Sequence, residues 1–421
     1  MADADLRGGC VTGSTEQVDT LVVGGGQAGL ATSHELTHHG VEHVVLERGR
    51  IGQSWHDRWE SFCLVTPNWS VQLPGGAYDG ADPDGYMPRD AIVAFLERYA
   101  SGSRLPVREG VELRSLESLA GRGFAARTSS GEMRARHVVL ATGAYQRSYR
   151  PAGARSLPRD LQQIDLRDYH APAALPPGRV LVVGSGQSGC QLAEELHEAG
   201  RQVVLACGKA PWAPRMVGDR DMYWWAVESG FLDDTVAALP SPNARLGANV
   251  LATGHGKPHD LDLRTLRALG IMLVGHFLGA DDEGARFAPD LAETVAWGDA
   301  RYRELAQLFH KTATERGLPQ PRLPEPEPFD GRAPETVPLA GFGAVIFAGG
   351  FRPDYQSWLP WPAAFDALGF PIQKDGASPV VEGLHFVGVP FMRTRKSPLL
   401  LGVGEDAAVV ARAIAGRATV V

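Results

Sequence analysis

Cysteine is scarce in this chain: four residues in 421, at Cys10, Cys63, Cys190 and Cys207. No two of them form a CxxC or CxxxxC pair, so the spacing offers no local dithiol to pass electrons to a disulfide. His38–His39 and His255–His259 lack the accompanying ligands of a metal site. A GxSxG segment is missing too, which removes the nucleophile turn of a hydrolase. No apolar run reaches the roughly 18 residues that suggest a membrane helix. The opening stretch, residues 1–18, is polar and acidic, unlike a signal peptide. The expectation is a cytoplasmic protein with a loose tail over 1–18 and no membrane partner. A net charge of −8 gives nucleic acid no electrostatic attraction.

Glycine, by contrast, is abundant at 50 residues, and its placement is informative. The stretch Val22–Glu47 has a near copy of itself at Val182–Cys207. The first begins VVGGGQAG and the second VVGSGQSG, so GxGxxG falls on Gly24, Gly26 and Gly29, then on Gly184, Gly186 and Gly189. Eleven residues further on, each copy has another glycine, Gly40 or Gly200, and seven later an apolar stretch ends at Glu47 or Cys207. Each copy therefore predicts strand, tight turn, helix, helix-ending glycine, strand. That unit holds a pyrophosphate on backbone N–H groups and a helix N-terminus, here opened by Gln27 and Ala28 or by Gln187 and Ser188. The first glycine permits the turn, the second a close phosphate approach, and the third close helix–strand packing. Two units imply two dinucleotides, with electrons passing between them.

The copies differ where their second strands end. Glu47, with Arg48 beside it, stands where a carboxylate accepts from a ribose 2′-hydroxyl, as for FAD. Cys207 stands there in the second copy, and no acidic residue is nearby. Lys209 and Arg215 follow and could attract the 2′-phosphate of NADPH, or be solvated loop charges. The fold expected is α/β with two Rossmann-like dinucleotide-binding domains, the NADPH domain (174–348) inserted in an FAD domain (1–173 and 349–421). The length suffices for such domains, and 44% hydrophobic with 21% charged residues is ordinary for a globular protein.

Between these landmarks the chain is less regular. A Trp-, Pro- and Gly-rich insertion runs from about Gly49 to Glu132, with one helical pattern over Arg89–Ala100. Strands are expected around Gly123–Arg127, Arg136–Leu140, Ala344–Ala348 and Leu384–Val387, and a final helix around Gly404–Ala415. The aromatic segment Asp221–Leu232 reads as core or interface.

This organisation resembles the flavin-containing monooxygenase group over nearly the whole chain. Gly52-Gln53-Ser54-Trp55 looks like the group's GGxW segment against the flavin. Ala141-Thr142-Gly143 and Phe347-Ala348-Gly349-Gly350-Phe351 look like the two segments that carry the chain between the FAD and NADPH domains. Leu64–Leu73 (LVTPNWSVQL) resembles the bacterial branch near the plant indole-pyruvate monooxygenases. The resemblance implies hydride transfer from NADPH to FAD, addition of O2 at flavin C4a, and transfer of one oxygen atom to a small organic substrate at N, S or a carbonyl. It implies cofactor contacts from Gln53, Trp55, Arg58, Ala141, Thr142, Gly143, Gly349 and Gly350. It places Asn68 near the flavin peroxide or nicotinamide, where an amide can donate and accept, although a turn role after Pro67 fits the same residue. Arg58 suits the flavin or pyrophosphate, or an ion pair. The Arg393–Lys396 cluster suits the flavin edge or an anionic substrate, or plain solvation. One departure stands out. The group's FxGxxxHxxx label, aligned on Tyr169, meets Arg159, Leu161 and Asp165 in place of its Phe, Gly and His. A flavoprotein oxidase or dehydrogenase, and a non-catalytic redox module, remain open alternatives. A homodimer is compatible with the sequence but not specified by it.

Overall fold

The computed structural model describes residues 15–120, 123–256 and 258–418. Cys10 and residues 1–14 of the expected tail lie outside them, and Glu16 already opens a strand.

The first unit is a seven-stranded sheet. Its strands are β1 (Glu16–Val23), β2 (His43–Glu47), β3 (Val107–Glu109), β4 (Leu113–Ser118), β5 (Phe124–Thr128) and β6 (Gly131–Leu140). A late strand completes it, numbered β15 (Leu384–Phe386) in chain order. The order is β3-β2-β1-β6-β5-β4, with β15 parallel to the far half of β6. β1 lies parallel between β2 and β6, with Val22 opposite both Val45 and Val139. β6 shows how pattern follows environment. Its first half pairs antiparallel with β5 and alternates buried with exposed positions, whereas His137–Leu140 lie among parallel neighbours and are buried without a break.

The second unit is an all-parallel sheet of β7 (Gln162–Asp165), β8 (Arg179–Val183), β9 (Val203–Ala206), β10 (Met272–Val274) and β14 (Phe342–Phe347), ordered β7-β14-β8-β9-β10. Val182 sits opposite Leu205 and Ile346, as Val22 does in the first unit. A three-stranded antiparallel sheet lies beside it, formed by β11 (Phe277–Asp281), β12 (Gly284–Phe287) and β13 (Thr336–Val337).

Helices cover one face of each main sheet. On the first, α1 (Gln27–His38), α3 (Arg89–Gly102) and α8 (Val403–Ala418) bury Leu30, Leu96 and Val410 against Val22, Val45 and Val139. The short α2 (Gln53–His56) lies in the insertion. The opposite face packs Leu21, Val23 and Leu46 against Tyr355, Phe365 and Phe386. On the second, α4 (Gln187–Glu198) and α6 (Leu263–Ala268) bury Leu192, Leu196 and Leu266 against Val182 and Leu205. The other face packs Leu181 and Val204 on Phe277 and Phe287. The aromatic segment forms α5 (Met222–Glu228), whose Trp225 meets Phe309 of the long α7 (Leu291–Arg316).

The chain thus folds as two Rossmann-like units, the second inserted in the first. The crossing between them differs from expectation in one respect. β7 was expected in the first domain (1–173), but it pairs in register with β14 in the second sheet because its Ile164 is drawn into that core. The chain leaves at Arg147–Ser148 and returns at Phe351–Arg352, and these two crossings pair with each other as a short antiparallel ribbon.

Candidate functional site

The two glycine turns are near-identical objects. Gly24 and Gly184 both have φ +110°, left-handed territory that an L side chain rarely adopts. A Cβ on either would sit 2.7 Å from the carbonyl oxygen of the segment crossing beneath it, Ala141 for the first and Ala348 for the second. A Cβ on Gly29 or Gly189 would lie 1.8 Å from the carbonyl oxygen of Gly24 or Gly184, so each helix is pressed onto its own turn. The middle glycines are different. The nearest atom to a Cβ on Gly26 is Ser54 Oγ at 4.0 Å, and to one on Gly186 Ala248 Cβ at 3.6 Å. The backbone there is open, with no side-chain cap on either helix and no acid in either first turn. Unused N–H groups at the positive end of a helix suit a pyrophosphate. Gly40 and Gly200, at φ +67° and +79°, end the helices in left-handed turns.

What ties each turn to its second strand is not the same. In the first unit the Glu47 carboxylate is buried, with Oε2 accepting from Gly25 N–H at 2.7 Å and Oε1 from Gly49 N–H at 2.8 Å. A Cβ on Gly25 would lie 2.9 Å from that of Glu47. In the second unit Ser185 replaces Gly25, and its hydroxyl donates to Gly208 O and accepts from Gly208 N–H, both at 2.9 Å. Cys207, in the place of Glu47, turns into the core, where burial pushes its thiol up to about 12. The acid lost at Cys207 and the hydroxyl gained at Ser185 are one exchange. Comparing the copies residue by residue reveals it, although the glycine pattern alone does not single out Ser185.

The remaining sequence-predicted residues divide sharply. Trp55 Nε1 donates to Gln27 Oε1 at 3.0 Å, which joins the GQSW segment to the first turn of α1, and Gln27 Nε2 reaches Pro398 O at 3.2 Å. Gln187 holds the main chain of Ala252 from both ends of its amide. Ala28 is buried, and Ser188 is half-buried in the first turn of α4. Thr142 Oγ1 and Gly143 O accept from Gln146, and Gly143 O also accepts from Tyr355. Gly350 O accepts from Tyr149 N–H at 2.9 Å, and a Cβ on Gly349 would lie 3.0 Å from Tyr149. Gln53 is engaged locally by Arg50 N–H and Asp57. Arg48 and Lys209 are exposed.

Three expectations need correction. Arg215 does not face a ribose: it is 2% exposed, paired to Asp221 at 2.6 Å, and donates to Tyr86 Oη and Val65 O. Nε and Nη1 are hydrogen-bonded and Nη2 is held in the ion pair with Asp221, which leaves Lys209 as the exposed one of the two. Asn68 is partly engaged: its Nδ2 donates one N–H to Asp82 O and its Oδ1 accepts from Met87 N–H, which leaves one N–H of the amide over. That buried side chain closes its own loop. The Arg393–Lys396 cluster is spent on acids: Arg393 on Asp406 and Asp375, Arg395 on Asp234, Lys396 on Asp233 and Glu405. His255 and His259 each face a glutamate of α4, Glu198 and Glu194. Cys63, Cys190 and Cys207 are free and buried.

Fold and site together define a protein with two dinucleotide-binding units whose second strands end differently. The pyridine nucleotide-disulphide oxidoreductase family matches over residues 21–223. An oxidoreductase of Geobacillus kaustophilus, described as uncharacterized and CzcO-like, is 31% identical over 392 residues, 93% of this chain and 96% of that protein. The indole-3-pyruvate monooxygenase YUCCA4 of Oryza sativa subsp. japonica is 26% identical over 406 residues, 87% of this chain and 82% of that one. The solved flavin-containing monooxygenase of Stenotrophomonas maltophilia shares the fold with a TM-score of 0.67 at 20% identity, over 96% of this chain and 100% of that chain. This chain belongs to the flavin-containing monooxygenase group of oxidoreductases. No helix among the described residues is long and apolar enough to cross a membrane.

Proposed function

We propose that this chain is an FAD-dependent, NADPH-using monooxygenase that inserts one atom of O2 into a small organic substrate. The observation that carries the reading is the exchange at the strand ends: a buried carboxylate at Glu47 in one unit, and a hydroxyl tether with Lys209 beyond it in the other. A carboxylate accepts from a free ribose 2′-hydroxyl, whereas its loss beside an exposed cation suits a 2′-phosphate. FAD, when bound, supplies the hydride acceptor and the site of oxygen activation.

The chain's own residues bind and orient. Open N–H groups at Gly26 and Gln27, and at Gly186 and Gln187, hold the two pyrophosphates. Glu47 braces the first turn while offering its carboxylate to the adenosine, with Arg48 exposed beside it. Trp55 and Gln27 fix the GQSW segment against the mouth of the first turn. Ala141 and Thr142 floor the first turn, with Gly143 following, and Ala348 and Gly349 floor the second, with Gly350 following. Asn68 closes its loop through two backbone hydrogen bonds and keeps one amide N–H for the flavin or nicotinamide side.

The test combines spectroscopy and stoichiometry. The purified protein is expected to be yellow with one FAD, to be reduced by NADPH faster than by NADH in stopped flow, and to consume one O2 per NADPH with an oxygenated product. Hydrogen peroxide as the sole product would make it an oxidase, and a bound flavin that NADPH leaves oxidised would make it a non-catalytic binding module.

A further inference from the structure

The exchange at Glu47 and Cys207 extends to the neighbouring strand of each sheet. In the first unit β2 and β3 run parallel with Glu47 opposite Glu109, so two carboxylates stand side by side at the strand ends. Both are in use: Glu47 accepts from Gly25 and Gly49 N–H, and Glu109 accepts from Ile51 N–H at 2.6 Å. In the second unit β9 and β10 keep the same register, with Ala206 opposite Val274 where Leu46 is opposite Arg108. One residue on, Cys207 and Gly275 take the places of Glu47 and Glu109. One residue further, His276 stands where the first unit has Gly110. The second sheet has lost both acids of this corner and gained an imidazole.

That imidazole lies against the loop that leaves β9. A Cβ on Gly208 would stand 3.4 Å from His276 Nε2. From its other side Gly208 is held by the Ser185 hydroxyl, through both its N–H and its carbonyl. The exposed Lys209 follows directly. Asp290, at the head of α7, orients the ring from behind: Oδ2 meets Nδ1 at 2.6 Å, and Oδ1 accepts from His276 N–H at 2.9 Å. A carboxylate only accepts, so Nδ1 carries the proton and Nε2 is the nitrogen turned toward Gly208. Among the described residues no group hydrogen-bonds to Nε2, and the side chain is 50% exposed. Arg267, the other cation that acts on the Cys207 thiol, is engaged elsewhere, donating to Asp330 O and lying over the Phe329 ring at 3.9 Å.

We propose that His276 is a specificity-determining residue for the nicotinamide cofactor: together with Lys209 it binds the 2′-phosphate of NADPH, donating from Nε2–H, while Asp290 is the positioning residue that sets the ring. A phosphate oxygen at Nε2 gives the ring an acceptor at each nitrogen, which favours the doubly protonated imidazolium. The ring also stands between the phosphate and Asp290, so the incoming anion meets a donor and not a bare carboxylate. A free ribose 2′-hydroxyl brings no charge to this corner, so the contact separates NADPH from NADH. In the first unit a glycine beside two carboxylates does the reverse and suits an adenosine without a 2′-phosphate. The proposal rests on the reading that NADPH occupies the second turn.

The FAD-loaded protein is titrated calorimetrically with adenosine 2′,5′-bisphosphate and with 5′-AMP, which differ only in the 2′-phosphate, and then with NADP+ and NAD+. The wild type is expected to prefer the member of each pair that carries the 2′-phosphate. His276→Ala should lower that preference about 5-fold or more, the size of one charge-assisted hydrogen bond partly open to water. Binding of AMP and NAD+ should shift by less than about 2-fold. His276→Gln, which keeps an N–H donor, should restore part of the preference, and the visible flavin spectrum should be the same throughout the series. A preference that survives His276→Ala intact overturns the proposal. So does a variant that weakens both members of a pair equally, which would give the ring to the adenine or to the fold. A wild type without any preference removes the NADPH reading and the proposal together, so the two failures are told apart.

Discussion

Glu47 combines two jobs in one side chain, and this makes its replacement informative. Removing its carboxylate strands the Gly25 N–H in a buried place, a loss of about 1–3 kcal/mol. Glu47→Ala is expected to lower the thermal midpoint of the flavin-free protein and, separately, to leave the purified protein short of FAD. Full flavin loading of that variant would remove Glu47 from the adenosine site. Arg215 makes the opposite case. With its guanidinium held against Asp221, Tyr86 and Val65, Arg215→Ala removes the cation facing Asp221, which keeps its bonds from Tyr86 Oη–H and Tyr223 N–H, and should cost about 3 kcal/mol in chemical denaturation. The ratio of NADPH to NADH affinity should stay where it was, whereas Lys209→Ala should lower that ratio. Sequence spacing could not separate these two cations. Both follow Cys207 in a loop, and only the fold shows that Asp221 and Tyr86 converge on one of them.

At the level of elements, the strand–turn–helix units were legible because their signal is steric. A backbone that passes 1.8 Å from where a Cβ would be admits glycine alone, so the letters at 29 and 189 carry the geometry directly. Gly189→Ala is therefore expected to abolish nicotinamide binding while the flavin stays bound. Gly29→Ala should do the reverse, with loss of FAD read from the visible spectrum. Less was legible where pairing partners lie far apart in the chain. β7 is four residues long and looks like part of a proline-bearing connection until β14, nearly two hundred residues later, supplies its ladder. Asn68 was equally opaque. The sequence shows an amide after a proline, but the backbone of Asp82 and Met87 that engages it arrives through a loop with no readable code.

At the scale of the whole molecule, the loop of Arg395 and Lys396 clasps residues 232–234 of the inserted unit. Arg395 N–H donates to Asp234 O at 2.8 Å and Lys396 N–H to Leu232 O at 3.1 Å, while Lys396 Nζ meets Asp233 at 2.8 Å. Burial acts to lower the pKa of Lys396, but the bonds to Asp233 and Glu405 outweigh it, and the net direction is upward from 10.5. A base held more strongly in the folded state contributes its full stabilisation below its unfolded pKa, and loses it as pH climbs through the raised value. The gap in thermal midpoint between wild type and Lys396→Met should thus be widest at neutral pH and close in strong alkali. A gap that persists there would show that the lysine acts by packing alone.

The paired crossings at Arg147–Ser148 and Phe351–Arg352 have a mechanical result. Two separate tethers would let the units slide as well as swing; two strands laced side by side behave as one torsion bar. Twisting about that bar keeps its rungs intact, whereas sideways shear would have to break them. With the Lys396 clasp and the Arg215 bonds to Tyr86 and Val65 undone, the axis about which one nucleotide could be swung toward or away from the other would therefore be this bar, where Tyr145 meets the Phe351 ring at a tilt.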